Sequence, residues 1–149
     1  MNEEYKKSCE DEIELIEIQQ LHEATLQISK SCFEFKKLCV GLIGAGLAVL
    51  VKLSGNEINH SLFFIPLLIC FGFWIADFTA YYYQRSTRSV MNSKLSSIAQ
   101  RNNIDDFQRA NVTAGWFKSA FNLSMSLYYV IGLLVIAGWV SYICDWIKL

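Results

Sequence analysis

One acidic residue, Asp77, lies inside a long apolar stretch, and it is the residue most suited to chemistry in this sequence. A carboxylate is costly in such a segment and by default marks a functional site. Six residues separate Asp77 from Gln84, where the apolar stretch has ended. Two interpretations follow from this position. In the first, Asp77 lines or gates a polar path; in the second its role is structural, and it reaches water or forms an ion pair with Lys37 or Lys118 near the end of the stretch.

The other residue types that carry chemistry form no catalytic or metal-binding pattern. The two histidines, His22 and His60, are predicted on opposite sides of a membrane, and HExxH, GxSxG and GxxxxGK[ST] motifs are absent from the sequence. The five cysteines contain no CxxC pair and are expected to be free thiols: Cys9, Cys32, Cys39, Cys70 and Cys144. The sequence therefore predicts a protein that is not an enzyme and has no cofactor or metal.

Three apolar runs determine the predicted fold class. Hydrophobic residues make up 53% of the 149 residues, and they are concentrated at 38–53, 62–83 and 123–147. Each run is close to the ~20 residues that cross a hydrocarbon layer, and none leaves the polar stripe of a soluble helix. We predict an all-α integral membrane protein with about three transmembrane helices. The first two form a unit at 38–83 with a short outer loop, and the third is at 123–149.

The distribution of Lys and Arg predicts the orientation. Eleven of the 13 basic residues precede the first run or lie between the second and third, leaving only Lys52 and Lys148 for the other side. Positive residues remain cytoplasmic. The N-terminus and the 84–122 connector are therefore predicted in the cytoplasm, and the C-terminus outside. The basic residues nearest the membrane are predicted to be interfacial: Lys36, Lys37, Arg85 and Arg88.

Residues 1–37 are predicted to form a cytoplasmic amphipathic helix that continues into the first span, so that one helix runs from about 10 to 53. Residues 10–37 contain no Gly or Pro, and apolar residues recur at intervals of three and four, as in a helical seam. We predict that this seam is an assembly or partner surface. Its main residues are Ile18, Leu21, Ile28 and Phe35.

The connector 84–122 is predicted to be a cytoplasmic basic helical hairpin. A first arm extends the second span, and Asn102 and Asn103 make the turn, with Asn103 as the N-cap of a second arm. Apolar residues of the second arm recur at helical spacing: Phe107, Ala110, Ala114, Phe117 and Phe121. With the N-terminal helix, this hairpin would form a small helical bundle below the membrane.

Small residues four apart mark places where helices approach closely in lipid. Such contacts would join helices of one chain or helices of different chains, and the sequence leaves both alternatives open. The residues concerned are Gly41, Gly44, Ala45, Ala48, Gly72 and Ala76.

The layout of residues 10–101 resembles the small membrane effectors of bacterial antiphage systems. A charged helix is followed by a two-span hairpin with an eight-residue outer loop and by a basic helix that begins AYYYQRSTRSVMNSKL. SLATT-type domains and the transmembrane effectors of some retrons share this layout, although the third span departs from it. The resemblance implies a protein that is silent until a partner senses infection and that then permeabilises the inner membrane.

The resulting functional hypothesis is a membrane effector that forms homo-oligomers in the bacterial inner membrane and perturbs the lipid bilayer when a cytoplasmic regulator or sensor releases it. The alternative is a non-conducting anchor or adaptor subunit that recruits a soluble partner through its cytoplasmic helices. Nucleic acid is not an expected partner, because topology and anionic lipid already explain the basic connector.

Overall fold

The computed structural model describes residues 8–55, 58–104, 107 and 115–144. These residues form helices and no strand, which confirms the all-α prediction. The elements are α1 (Cys9–Leu53), α2 (Ser61–Arg101), α3 (Trp116–Ala120), a short 3-10 helix (Leu123–Met125) and α4 (Ser126–Ile143).

Helix α1 runs without a break through the charged N-terminal segment and the first apolar run, as predicted. Ser8 caps it by accepting a hydrogen bond from the backbone N–H of Asp11 at 3.1 Å, and acidic side chains in the first turn complement the helix dipole. Its 45 residues span ~67 Å at 1.5 Å per residue. One helix therefore joins a polar end to an apolar end.

Helix α2 has nearly the same length and ends at the predicted turn, Asn102 and Asn103. The backbone N–H of Asn103 donates to Gln100 at 3.2 Å and that of Ile104 to Ala99 at 3.0 Å, while Asn103 has a φ of 52°. These are the features of a Schellman cap, in which asparagine tolerates the left-handed backbone. Asn103 thus terminates α2, and the start of the helix that Asn103 was predicted to cap lies outside the described residues.

Helices α1 and α2 form a long antiparallel hairpin. Ion pairs join Asp11 to Arg101, Glu17 to Lys94 and Lys36 to Asp77, across 90, 77 and 41 residues of chain. The number of residues between the two partners of each pair decreases steadily towards the connecting loop, as an antiparallel register requires. We use the term stalk for residues 9–35 with 79–101, and apolar half for residues 36–53 with 61–78.

Helix α4 packs antiparallel to α2 along the apolar half. At one end the Cys70 thiol donates to the carbonyl of Tyr128 at 3.4 Å. At the other end the rings of Phe63 and Tyr142 stack with centroids 5.6 Å apart. The largest group of buried apolar residues lies where α4 begins: Cys39, Cys70, Phe78, Ala120, Met125 and Tyr128.

Two helical segments of the described chain, Ser61–Arg101 and Leu123–Ile143, are long and apolar enough to cross a membrane. Only 28% and 11% of their most apolar stretches are buried within the chain, which is far less than a soluble core helix buries. Helix α1 does not join this pair, because three lysines lie within residues 36–53. A third span thus stays a prediction.

The second arm of the predicted cytoplasmic hairpin is described only in part. Ala110 and Ala114 lie outside the described residues, and helix is seen only over Trp116–Ala120. Phe117 and Phe121, which were expected to face a bundle, are 73% and 71% exposed. In the described part they do not pack against the stalk.

Candidate functional site

Asp77 forms an ion pair with Lys36 at the boundary between the stalk and the apolar half. The Nζ atom of Lys36 lies 2.6 Å from Oδ2 of Asp77, whose side chain is fully buried, whereas that of Lys36 is 20% exposed. The predicted partners Lys37 and Lys118 are therefore wrong. Lys37 projects about 100° further round α1 and pairs with the exposed Glu34 at 2.8 Å.

Side chains from three parts of the chain surround this pair. Lys36 also donates to the Ser124 hydroxyl and to the carbonyl of Cys32, both at 3.4 Å. The buried phenol of Tyr128, on α4, interacts electrostatically with Asp77, although its hydroxyl has no hydrogen bond of good geometry among the described residues. The Asp77 carboxylate thus joins α1, α2 and the start of α4.

The thiol of Cys32 lies one helical turn before Lys36 and is also buried. Burial raises the pKa of this thiol to about 12, and a hydrogen bond and the negative charge of Asp77 act in the same direction. Cys32 is therefore a neutral thiol at physiological pH and is not an activated nucleophile.

The burial of Asp77 bears on its two predicted roles. A residue that lines a path between copies must face the outer surface, but Asp77 has no exposed surface and faces α1. The geometry favours the ion-pair interpretation. The ion pair fixes the position of α1 against α2, because a buried carboxylate is tolerated only when a cation compensates it.

A second set of ion pairs closes the far end of the stalk. Arg101 lies 2.8 Å from Asp11 and 3.5 Å from Glu10, and it also pairs with Glu14. Glu14 and then Asp11 raise the pKa of Arg101. This cluster was not predicted from the sequence, although an acidic start of α1 and a basic end of α2 indicate it once the two helices are known to be antiparallel.

The predicted seam faces α2 of the same chain. Thr25 and Cys32, on this face, are 3% and 7% exposed, and the interhelical ion pairs lie along it. The predicted assembly surface therefore lies inside the hairpin, because α2 packs antiparallel against this face of α1. All four named seam residues are half-buried: Ile18, Leu21, Ile28 and Phe35.

The small residues predicted to pack helices mostly face outward. A Cβ added at Gly41, Gly44 or Gly72 would meet nothing within 4 Å, and Ala45 and Ala48 are exposed, whereas Ala76 is half-buried. Packing within one chain is thus the wrong alternative for the three glycines. The α2-facing side of α1 contains Cys32, Lys36 and Cys39. Gly41 and Gly44, which also belong to α1, lie on other sides of this helix.

Close approach within the chain occurs instead at Gly138, which was not predicted from the sequence, and Gly46 makes an ordinary van der Waals contact. A Cβ at Gly138 would lie 3.3 Å from the ring of Phe63, and one at Gly46 would lie 4.0 Å from Ile69. Gly138 has no small residue four positions away. A search for small residues at that spacing therefore could not find it.

Of the four predicted interfacial basic residues, Lys36 and Lys37 lie at the boundary between the stalk and the apolar half, whereas Arg85 and Arg88 lie about 10 and 15 Å further along α2. Lys37 lies over the ring of Phe33, 4.5 Å from its centroid, and Arg85 lies 6.0 Å from that of Tyr81. Arg88 is exposed and Lys36 is in the ion pair. Such cation–π contacts stabilise cations beside an apolar surface.

Comparison of the chain with protein-family models, with curated proteins and with solved structures gave no match. Among the described residues, no group of three or more His, Cys, Asp or Glu side chains is placed to hold a metal ion. The functional argument therefore rests on the geometry of this chain alone.

Proposed function

We propose that this chain is a three-span protein of the bacterial inner membrane that assembles into homo-oligomers and perturbs the bilayer when a cytoplasmic partner releases it. The uncovered apolar surface supports the membrane location: α4 buries only 11% of its apolar stretch within the chain. A soluble protein rarely exposes so large a contiguous apolar surface. The resemblance to antiphage effectors suggests that the regulator is an infection sensor.

Besides the spans in α2 and α4, the proposal requires one more, which is the part of α1 that pairs with α2. Residues 36–53, 61–78 and 126–143 each contain about 18 residues, or ~27 Å of helix, and contacts at Cys39–Cys70 and Gly46–Ile69 align the first two. If α2 crosses the bilayer, α1 must cross beside it. Its lysines are compatible with this, because they lie at the two ends, where long side chains reach water.

Orientation is tested with two topology reporters. With eleven basic residues assigned to the cytoplasm and two to the outside, a reporter after Leu149 should behave as extracytoplasmic and one inserted at Asn103 as cytoplasmic. Reporters on the same side would contradict an odd number of spans.

The outward face of α1 carries the argument for assembly. Gly41 and Gly44 have open space around them, and Ala45 and Ala48 are exposed beside them. Small residues at this spacing allow two backbones in lipid to approach closely. Because α2 and α4 leave this face uncovered, a second copy is the proposed occupant.

One observation favours the non-conducting anchor as the second candidate. The segments 38–51, 62–76 and 130–143 contain no charged or amide side chain, and Asp77 is buried in an ion pair. An aqueous path between copies would then have an apolar lining. An anchor requires only the spans and a stalk that a soluble partner can reach.

The test is reconstitution into liposomes with a potassium diffusion potential. We expect the wild-type protein to form oligomers and dissipate the potential, and the Gly41→Leu/Gly44→Leu variant to be monomeric and inactive. Gly132→Leu is the matched control, since Gly132 also lies in an apolar helix with nothing within 4 Å. It should behave like the wild type.

The outcomes separate the two candidates. Wild-type oligomers in liposomes that keep their potential would refute the permeabilising effector and favour the anchor. A wild-type monomer would refute assembly through the bilayer in both.

A further inference from the structure

Residues 115–125, which we term the interfacial segment, join the connector to α4 and expose four large apolar side chains. Their exposed fractions are 56% for Trp116, 73% for Phe117, 71% for Phe121 and 86% for Leu123. Water-exposed aromatic residues in such density are unusual for a soluble loop. They require a partner that covers apolar surface.

The opposite side of the segment is fixed to the rest of the protein. Ser119 and Met125 have no exposed surface, and Ala120 is 2% exposed. The hydroxyl of Tyr129 donates to the carbonyl of Ala120 at 2.8 Å. One side is therefore anchored in the core while the other presents apolar side chains, as in a helix that lies in the plane of a membrane interface.

The depth of the segment is set by its contacts with the end of the apolar half. The ring of Trp116 packs edge-on against Phe78, with centroids 5.2 Å apart, and Phe78 follows Asp77. Ser124 lies 3.4 Å from the ammonium group of Lys36. The segment thus lies at the level of the Lys36–Asp77 pair, where the apolar surface of the helices ends.

The local charge identifies the chemistry of the partner. Lys118 is exposed at the centre of the segment, and no described carboxylate forms an ion pair with it. Lys37 is an exposed cation at the same boundary, although it is paired with Glu34. An exposed ammonium group beside exposed aromatic rings complements the phosphate and the acyl boundary of an anionic lipid.

We propose that the interfacial segment binds anionic phospholipid, with Trp116, Phe117, Phe121 and Leu123 inserted at the level of the headgroups and Lys118 placed against a lipid phosphate. This inference rests on the proposed membrane location and adds a lipid class and a lipid-binding element to it. The segment then fixes the depth of α4 in the inner leaflet.

The depth is tested with single-tryptophan variants in phospholipid vesicles. One variant retains Trp116 and another retains Trp139, with phenylalanine at the other tryptophan positions. Fluorescence quenching is compared between lipids brominated near the headgroup and lipids brominated near the chain terminus. We expect Trp116 to be quenched more strongly by the shallow bromine atoms than by the deep ones.

The Trp139 variant distinguishes a failure of the interfacial segment from a failure of the proposed membrane location. In one outcome, bromolipid quenches Trp139 whereas only aqueous iodide quenches Trp116. This outcome would overturn lipid binding by the interfacial segment and leave the proposed spans in place. Absence of bromolipid quenching in both variants would instead overturn the proposed membrane location, and the inference with it.

Lipid selectivity is measured by energy transfer from Trp116 to trace dansyl-phosphatidylglycerol or dansyl-phosphatidylcholine. We expect enrichment of the anionic probe of about fivefold, the effect of one cation at a charged surface, and its loss in Lys118→Gln. The matched control is Lys30→Gln, an exposed lysine of the stalk, which should retain the enrichment. Equal transfer to both probes in the wild type would overturn the assignment of anionic lipid.

Discussion

Replacing Lys36 by methionine tests whether the buried ion pair holds the three helices together. Methionine retains the apolar stem of lysine and removes the ammonium group from Asp77, whose side chain has no exposed surface. Breaking a buried pair in this way costs about 3–5 kcal/mol.

The reverse change, Asp77→Asn, should cost less. It leaves the ammonium group of Lys36 without its carboxylate, but this side chain is 20% exposed and can extend to water at the boundary. The loss is then that of a charge-assisted hydrogen bond, about 1.5–3 kcal/mol. We therefore expect Lys36→Met to be the more damaging of the two substitutions.

The assay is reversible unfolding in mixed micelles, from which the free energy of unfolding is obtained. Lys37→Met is the control, because its ion pair is exposed, and it should change stability by about 0.5 kcal/mol or less. A Lys36→Met protein with wild-type stability would refute this reasoning.

Three further changes test the packing of the helices. Gly138→Val should destabilise the α2–α4 contact by about 1–3 kcal/mol through overpacking against Phe63. Gly132→Val is the control, because a Cβ there meets nothing within 4 Å, and it should not destabilise the protein. Equal melting temperatures of the two variants would contradict the close approach at Gly138. Leu21→Asp should open the stalk and speed its proteolysis, because this half-buried residue faces α2, while Gln20→Asp on the exposed side should leave the rate unchanged. The thiol of Cys32, buried and with a raised pKa, should react with maleimide at pH 7 only after unfolding, and rapid labelling of the folded protein would show that the site is open.

The apolar and charge patterns along the sequence were sufficient to predict the helical fold and the continuity of α1. The runs 38–53 and 62–83 are too apolar and too long for other structure, and the absence of Gly and Pro from 10–37 leaves no reason for α1 to break. These features follow from local composition and period, which do not depend on contacts with the rest of the chain.

Contacts between helices could not be obtained in the same way, because they depend on the rotation of each helix about its axis. Lys36 and Lys37 are equivalent in the sequence, yet a turn of about 100° places one against Asp77 and the other against Glu34. The same rotation turns Gly41 and Gly44 away from α2 and brings Gly138 against Phe63. The sequence alone determined that a carboxylate lies in an apolar helix, and only the tertiary structure decided which cation compensates it and which helix faces remain uncovered.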